Sequence, residues 1–127
     1  MTSVLVVDDD PVVCFALARF FRAEGWDVAF AQTLGEALEQ VQMRRPMFDV
    51  VVTDLNLGPK APRGGFALVR ICTAVSIPVV LVSGDLKRVQ TDPEFAPPAL
   101  FLEKPFHPTA LKAVKELLCS SSSRPTS

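Results

Sequence analysis

The sequence has few of the residues that form crosslinks or bind soft metal ions. Its three cysteines are Cys14, Cys72 and Cys119, which stand too far apart for a Cys-x-x-Cys metal or redox motif. The odd count also argues against a secreted disulfide scaffold, for which even numbers are expected. The one histidine is His107, which we interpret as solvated rather than catalytic or metal-bound.

Long apolar runs and a strong excess of one charge are also missing. Runs such as residues 79–82 are far too short to cross a bilayer, and the N-terminus has no basic segment followed by a signal-peptide core. The formal net charge is −1, so no overall positive field would attract nucleic acid or an anionic membrane. We therefore predict a cytoplasmic protein without direct nucleic-acid or membrane binding, and leave its oligomeric state open.

Length and composition indicate one globular domain. The chain has 127 residues, of which 49% are apolar, and this is enough to bury a single modest core. We expect that domain to occupy residues 1–119. Residues 120–127 are polar, contain a serine run and a proline, and offer nothing to bury, so we predict a disordered tail there.

Five short apolar or β-branched runs predict strands, at residues 4–7, 26–31, 50–52, 79–82 and 100–102. The first, third and fourth runs are apolar on both faces, as parallel strands covered by helices on each side require. Segments with helical spacing separate the runs. This alternation predicts an α/β domain, with a five-stranded parallel sheet and helices on both of its faces.

The predicted helices have recognisable boundaries. Asp10 is interpreted as the N-cap of the first helix rather than as a metal ligand, because Pro11 follows it directly. Thr33 begins a plausible capping box for the second helix. The fourth helix has room only at residues 86–90, because prolines follow at 93, 97 and 98. We predict that this helix is shortened or irregular.

Polar residues follow the predicted strands, at the sheet edge where open parallel sheets bind ligands. They are Asp8, Asp9 and Asp10 after the first strand, Asp54 after the third, Ser83 after the fourth and Lys104 after the fifth. Converging carboxylates repel one another unless a cation neutralises them. Oxygen ligands without histidine or cysteine favour Mg²⁺, and Lys104 adds a fixed positive charge.

This set of residues is suited to phosphoryl transfer. A carboxylate beside Mg²⁺ and a lysine can attack phosphorus, since the reaction depends mainly on positioning and on neutralising charge at the transferring oxygens. The product would be an aspartyl phosphate. Ser83 could then hydrogen-bond a phosphoryl oxygen and move its own loop.

Four motifs, in this order and each at a strand end, resemble response-regulator receiver domains of two-component signalling, of the chemotaxis-regulator type. They are Val-Asp-Asp-Asp-Pro at 7–11, Asp-Leu-Asn at 54–56, Val-Ser-Gly at 82–84 and Lys-Pro-Phe at 104–106. The resemblance spans almost the whole chain and implies a flavodoxin-like receiver fold. It also implies a signalling switch, not an enzyme, which takes a phosphoryl group from a histidine kinase or histidine phosphotransfer protein and acts on a downstream protein effector.

By position, the resemblance implies a role for each site residue. Asp54 would accept the phosphoryl group. Asp8 and Asp9 would hold Mg²⁺ together with Asp54 and the main-chain carbonyl of Asn56.

The resemblance also implies a conformational switch. Ser83 would be the switch hydroxyl, Lys104 the phosphoryl-binding ammonium, and Phe101 the aromatic that swings inward when Ser83 moves. In this family the Lys104–Pro105 peptide bond would be cis. Phe101 could equally be only a core aromatic, since the sequence has no tyrosine hydroxyl at this position.

Two departures from the family pattern leave alternatives open. The loop before Gly64–Gly65 is about three residues longer than usual, and a proline-rich stretch precedes the fifth strand. The first alternative is therefore a degenerate receiver that acts as a phosphorylation-independent docking module. A less favoured one is a phosphatase of the haloacid-dehalogenase type, which would need a second aspartate where Asn56 stands.

Overall fold

The structure is a computed structural model that describes residues 1–104 and 107–122. Within this part of the chain, five strands and five α-helices alternate. The strands are Ser3–Val7 (β1), Asp27–Ala31 (β2), Val50–Asp54 (β3), Val79–Ser83 (β4) and Leu100–Glu103 (β5). The helices are Pro11–Ala23 (α1), Leu34–Met43 (α2), Gly64–Ala74 (α3), Leu86–Gln90 (α4) and Lys112–Ser122 (α5), and a 3₁₀ turn at Pro108–Leu111 precedes α5.

The described strands form one parallel sheet in the order β2-β1-β3-β4-β5. The predicted α/β fold with helices on both faces is therefore confirmed, and so is the short fourth helix. The strand order reverses between β1 and β3, which is where open α/β sheets bind ligands. Asp54 pairs with Val82 across the β3–β4 ladder, and Ser83 pairs with Glu103 across the β4–β5 ladder.

Hydrophobic clusters cover both faces of the sheet. On one face, Val4 and Val6 of β1 pack with buried residues of α1 and α5, among them Phe21 and Val114. On the other face, alternate strand residues pack with α2 and α3. Because both faces are covered, all five residues of β1 are buried.

Side-chain caps start the first two helices as the sequence predicts. Asp10 Oδ1 accepts a hydrogen bond from the amide of Val12 at 2.9 Å, and Thr33 Oγ1 accepts one from the amide of Glu36 at 3.1 Å. Each cap satisfies one of the amides left without a partner in the first turn of a helix.

The C-terminal part of the chain departs from the predicted boundary. Helix α5 continues to Ser122, so it includes the first three residues of the segment 120–127 that we predict to be disordered. The remainder of that segment, and the predicted cis bond at Pro105, lie outside the described residues. No described helix is long and apolar enough to span a membrane.

Candidate functional site

The candidate site lies at the carboxyl edge of the three central strands and β5. Asp54 is the last residue of β3, Ser83 is the last residue of β4, and Asp8 follows β1 directly. The main-chain amide of Lys104 donates to the carbonyl of Ser83 at 2.8 Å, which fixes Lys104 beside the end of β4. The parallel ladders thus bring together residues that are far apart in sequence.

The three predicted site carboxylates form a compact cluster. Oxygen atoms of Asp8, Asp9 and Asp54 all lie within 4.8 Å of one another. Asp8 is buried, the side chain of Asp54 is 16% exposed, and Asp9 is open to solvent. One side of the cluster, at Asp8, is therefore buried, and the other, at Asp9, is accessible to solvent.

The pKa of Asp8 is altered by burial and by the neighbouring charges. Burial raises the pKa of Asp8 from 3.8 to about 6, and the charges of Asp54 and Asp9 act in the same direction. The hydrogen bond from the amide of Asp10, at 2.9 Å, and the charge of Lys104 oppose the rise without cancelling it. A cation bound between these carboxylates would relieve the repulsion.

Lys104 supplies part of that neutralisation. Its Nζ atom lies 3.1 Å from Asp54 Oδ2, within hydrogen-bonding distance, and 3.7 Å from Asp8 Oδ2. Burial by itself would lower the pKa of Lys104, but the hydrogen bond and the charge of Asp54 outweigh it, and the pKa is raised. Lys104 is therefore a fixed cation directed at the carboxylate of Asp54.

Ser83 and Asn56 lie at the same edge but do not join the charged cluster. Ser83 Oγ accepts from the amide of Asp85 at 3.4 Å, and Asn56 Oδ1 accepts from the amide of Gly58 at 3.0 Å. In residues 1–104 and 107–122, neither side chain hydrogen-bonds a carboxylate of the cluster. Both line a cleft of about 470 Å³ between the loops after β3 and β4, which leaves room beside Ser83 for an added group.

Phe101 is half-buried on β5 and lies in a row of aromatic rings. Its ring stacks on Phe95 with centroids 6.1 Å apart, and Phe95 makes a T-shaped contact with Phe66 with centroids 5.9 Å apart. Phe66, on α3, is completely buried. The structure thus gives Phe101 a defined packing partner, while its predicted inward swing stays a prediction.

The sequence reasoning missed the role of Gly65 at this site. A Cβ atom on Gly65 would lie 2.7 Å from the carbonyl oxygen of Asp54 and 2.7 Å from Cα of Leu55. The amide of Gly65 donates to the carbonyl of Leu55 at 2.9 Å, so the first turn of α3 rests directly on the end of β3. The signal in the sequence is the Gly64–Gly65 pair that ends the longer loop after Asp54.

Three other polar residues, Asp10, Asp85 and His107, cap helical segments. Asp10 caps α1, and Asp85 caps α4 by accepting from the amide of Arg88 at 3.0 Å. His107 contacts Thr109 through Nδ1, at 3.0 Å to its hydroxyl and 3.2 Å to its amide. Asp10 is thus the N-cap that the sequence predicts, and His107 is the N-cap of the 3₁₀ turn.

Comparison with known proteins identifies the family. Residues 4–116 match the family described as the response regulator receiver domain. The chain belongs to this family. Protein Rrf1 of Nitratidesulfovibrio vulgaris is similar to this receiver domain, with 34% identity over 113 residues, which cover 87% of the chain and 78% of Rrf1.

Other relatives of this receiver domain are longer. The transcriptional regulatory protein ZraR of Escherichia coli is 37% identical over 83 residues, which cover 64% of the chain but only 18% of ZraR.

Among solved structures, the chemotaxis protein CheY4 of Vibrio cholerae is 25% identical with a TM-score of 0.74, over 92% of this chain and 98% of that one. Receiver domains of this family are signalling switches of two-component systems.

Proposed function

We propose that this receiver domain accepts a phosphoryl group on Asp54 from a histidine kinase or a histidine phosphotransfer protein. A carboxylate oxygen of Asp54 attacks the phosphorus and forms a P–O bond, while the P–N bond of the donor breaks. The electron pair of that bond leaves with the imidazole nitrogen. The 16% exposure of the Asp54 side chain gives the donor access to it.

The observation that carries this proposal is the contact of Lys104 with Asp54 beside two further carboxylates. Lys104 Nζ, 3.1 Å from Asp54 Oδ2, is placed to pair with a phosphoryl oxygen once that carboxylate is modified. Lys104 would thereby neutralise charge that builds on the transferring group. An ion pair with no further role would not require a third ionisable group, Asp8, to be buried next to it.

The donor set fits Mg²⁺. Asp8, Asp9 and Asp54 offer hard oxygen ligands within 4.8 Å of one another, which is the ligand type that Mg²⁺ prefers. The main-chain carbonyl of Asn56 is proposed as a further ligand. When bound, the ion would polarise the phosphoryl oxygens and offset the carboxylate charge.

We propose that Ser83 and Phe101 transmit the modification. The cleft beside Ser83 would let its hydroxyl turn from the amide of Asp85 towards a phosphoryl oxygen on Asp54. Movement of the loop after β4 would then change the packing of Phe101 against Phe95. The result would be an altered surface for a downstream protein effector in the cytoplasm.

Beryllofluoride binding, followed by ¹⁹F NMR, tests the proposal without a kinase. We expect a bound resonance in the parent chain that requires Mg²⁺ and is absent from Asp54→Asn. Asp49→Asn is the matched control, because Asp49 accepts a hydrogen bond from the amide of Ser3 at the start of β1, away from the site. A bound resonance that persists in Asp54→Asn would contradict the assignment of Asp54.

Phosphorylation-independent docking is the second candidate function. The observation that favours it is the proline-rich segment before β5, which is held to α3 by a hydrogen bond from Arg70 to the carbonyl of Glu94 at 2.6 Å. A segment held in one position could present the same surface to a partner protein whether or not Asp54 is phosphorylated. Equal effector affinity with and without beryllofluoride would support docking over switching.

A further inference from the structure

The loop that follows Asp54 makes a direct charge contact with the segment before β5. Arg63 ends this loop, and its Nε atom lies 2.6 Å from Asp92 Oδ2 and 3.7 Å from Glu94 Oε2. The side chain of Asp92 is only 14% exposed, so the contact is partly sheltered. Hydrogen bonding to Asp92 raises the pKa of Arg63, which agrees with a formed ion pair.

Residues 92–95 form a tight turn, which we call the Asp92 turn. Asp92 Oδ1 accepts from the amide of Glu94 at 2.8 Å, and the carbonyl of Asp92 accepts from the amide of Phe95 at 3.0 Å. One carboxylate therefore shapes the turn with one oxygen and binds Arg63 with the other. This arrangement ties the position of the turn to the position of Arg63.

The ion pair between Arg63 and the Asp92 turn lies between two residues of the proposed switch, Asp54 and Phe101. Arg63 stands two residues before Gly65, whose close contact with the main chain of Asp54 fixes the start of α3. At the other end, Phe95 of the Asp92 turn stacks on Phe101 at 6.1 Å. Contacts and short stretches of backbone thus link the main chain of Asp54 to the ring of Phe101.

We propose that Arg63 is a positioning residue that couples the state of Asp54 to Phe101 through the Asp92 turn. Displacement of the loop after Asp54 would shift Arg63, and the ion pair would carry the Asp92 turn and the Phe95 ring with it. The coupling rests on the proposed phosphoacceptor function, whereas the placement of the turn by Arg63 does not. The longer loop and the proline-rich stretch, which depart from the family pattern, would then act together.

Hydrogen exchange measured by mass spectrometry tests the placement of the turn. In the absence of ligand, we expect Arg63→Gln to raise the exchange rates of the Glu94 and Phe95 amides by about two- to fivefold, as the loss of a partly exposed ion pair allows. Asp92→Asn keeps an oxygen for the Glu94 amide and should give the same rise. Lys60→Gln, in the same loop, is the control and should match the parent.

Adding beryllofluoride and Mg²⁺ tests the coupling. We expect the ligand to change exchange across residues 100–103 in the parent, and expect Arg63→Gln to lose at least about half of that change while still forming the adduct. Arg63→Lys keeps the charge and should restore most of it. Such a split between binding and response would not follow from a merely structural role.

Three outcomes separate failure of this inference from failure of the proposed function. Unchanged exchange of the Asp92 turn in Arg63→Gln would overturn the positioning role. A full response of residues 100–103 in that variant would overturn the coupling alone. No adduct in the parent would overturn the proposed function and the coupling together, while the ligand-free comparison would still decide the placement of the turn.

Discussion

Asp8 combines burial with the negative charge of two neighbours. Its pKa of about 6 means that the folded, metal-free protein binds a proton at Asp8 more tightly than the unfolded chain does. As the pH rises from about 4 to about 6, the unfolded chain loses this proton before the folded protein does, so the folded state loses stability. Above this range the ionised carboxylate is a cost that a bound cation would offset.

The substitution Asp8→Asn should remove that cost. At pH 7.5 without metal, we expect it to raise the free energy of unfolding by about 1–3 kcal/mol, because a shift of about two pKa units corresponds to up to about 3 kcal/mol. The gain should vanish near pH 4, where Asp8 is already protonated. Urea unfolding at the two pH values measures both effects.

Magnesium provides the complementary measurement on the same variant. Saturating Mg²⁺ should raise the Tm of the parent, because a ligand that binds only the folded state stabilises it. Asp8→Asn should lose most of that rise. An equal Tm shift in both proteins would argue against Asp8 as part of the ion site.

Lys104 acts on Asp54 through a short, partly buried contact. We expect Lys104→Gln to weaken beryllofluoride binding about ten- to a hundredfold, because a hydrogen bond to a charged group contributes about 1.5–3 kcal/mol. Lys112→Gln, on the exposed start of α5, should bind as the parent does. A ¹⁹F NMR titration gives both affinities, and equal values for Lys104→Gln and the parent would contradict the role of Lys104.

At the scale of elements, the site depends on how closely α3 approaches β3. Gly65 allows that approach, because any side chain there would contact the main chain of Asp54 and Leu55. Gly65 lies in α3 and Asp54 is the last residue of β3, so their main-chain atoms cannot move as a flexible side chain would. The geometry of Asp54 therefore depends on a residue that carries no functional group.

Gly65→Ala should destabilise the protein by about 1–3 kcal/mol or more, as overpacking does in well-packed regions, and should weaken beryllofluoride binding. Gly35→Ala is the matched control in α2, where a new Cβ would have 4.0 Å to its nearest neighbour, Thr33 Oγ1. That change should be neutral or stabilise by about 0.4–1 kcal/mol. Urea unfolding measures both, and equal midpoints for the two variants would contradict the close-contact account.

At the scale of the whole molecule, one sheet separates two hydrophobic clusters. Phe21 of α1 is completely buried in one cluster and stacks on Trp26, with ring centroids 5.1 Å apart. Trp26 is the only tryptophan of the chain, so its fluorescence reports on this face alone. Far-UV circular dichroism reports on the helices of both faces.

Phe21→Ala should lower the free energy of unfolding by about 3–5 kcal/mol, because it leaves a cavity in a packed cluster. Both faces share the same five strands, so we expect the loss to affect the entire domain as one unit. The urea transitions followed by fluorescence and by circular dichroism should shift together. A fluorescence transition that precedes the circular dichroism transition would show that the two faces unfold separately.

The fold and the residues of the carboxylate cluster could both be predicted from the sequence, for the same physical reason. Strand periodicity and the helix caps at Asp10 and Thr33 are local signals, and parallel strands bring their carboxyl ends to one edge. The ion pair of Arg63 with Asp92 depends instead on the course of two irregular segments. Neither segment has a periodic pattern, so no local signal predicts that contact.

The most direct test of the central claim is the intact mass of the protein after incubation with acetyl phosphate, followed by peptide mapping of the modified residue. The account predicts the added mass of one phosphoryl group, only when Mg²⁺ is present, located at Asp54 and absent from Asp54→Ala. Modification of another residue, or an unmodified parent chain at every Mg²⁺ concentration, would contradict it.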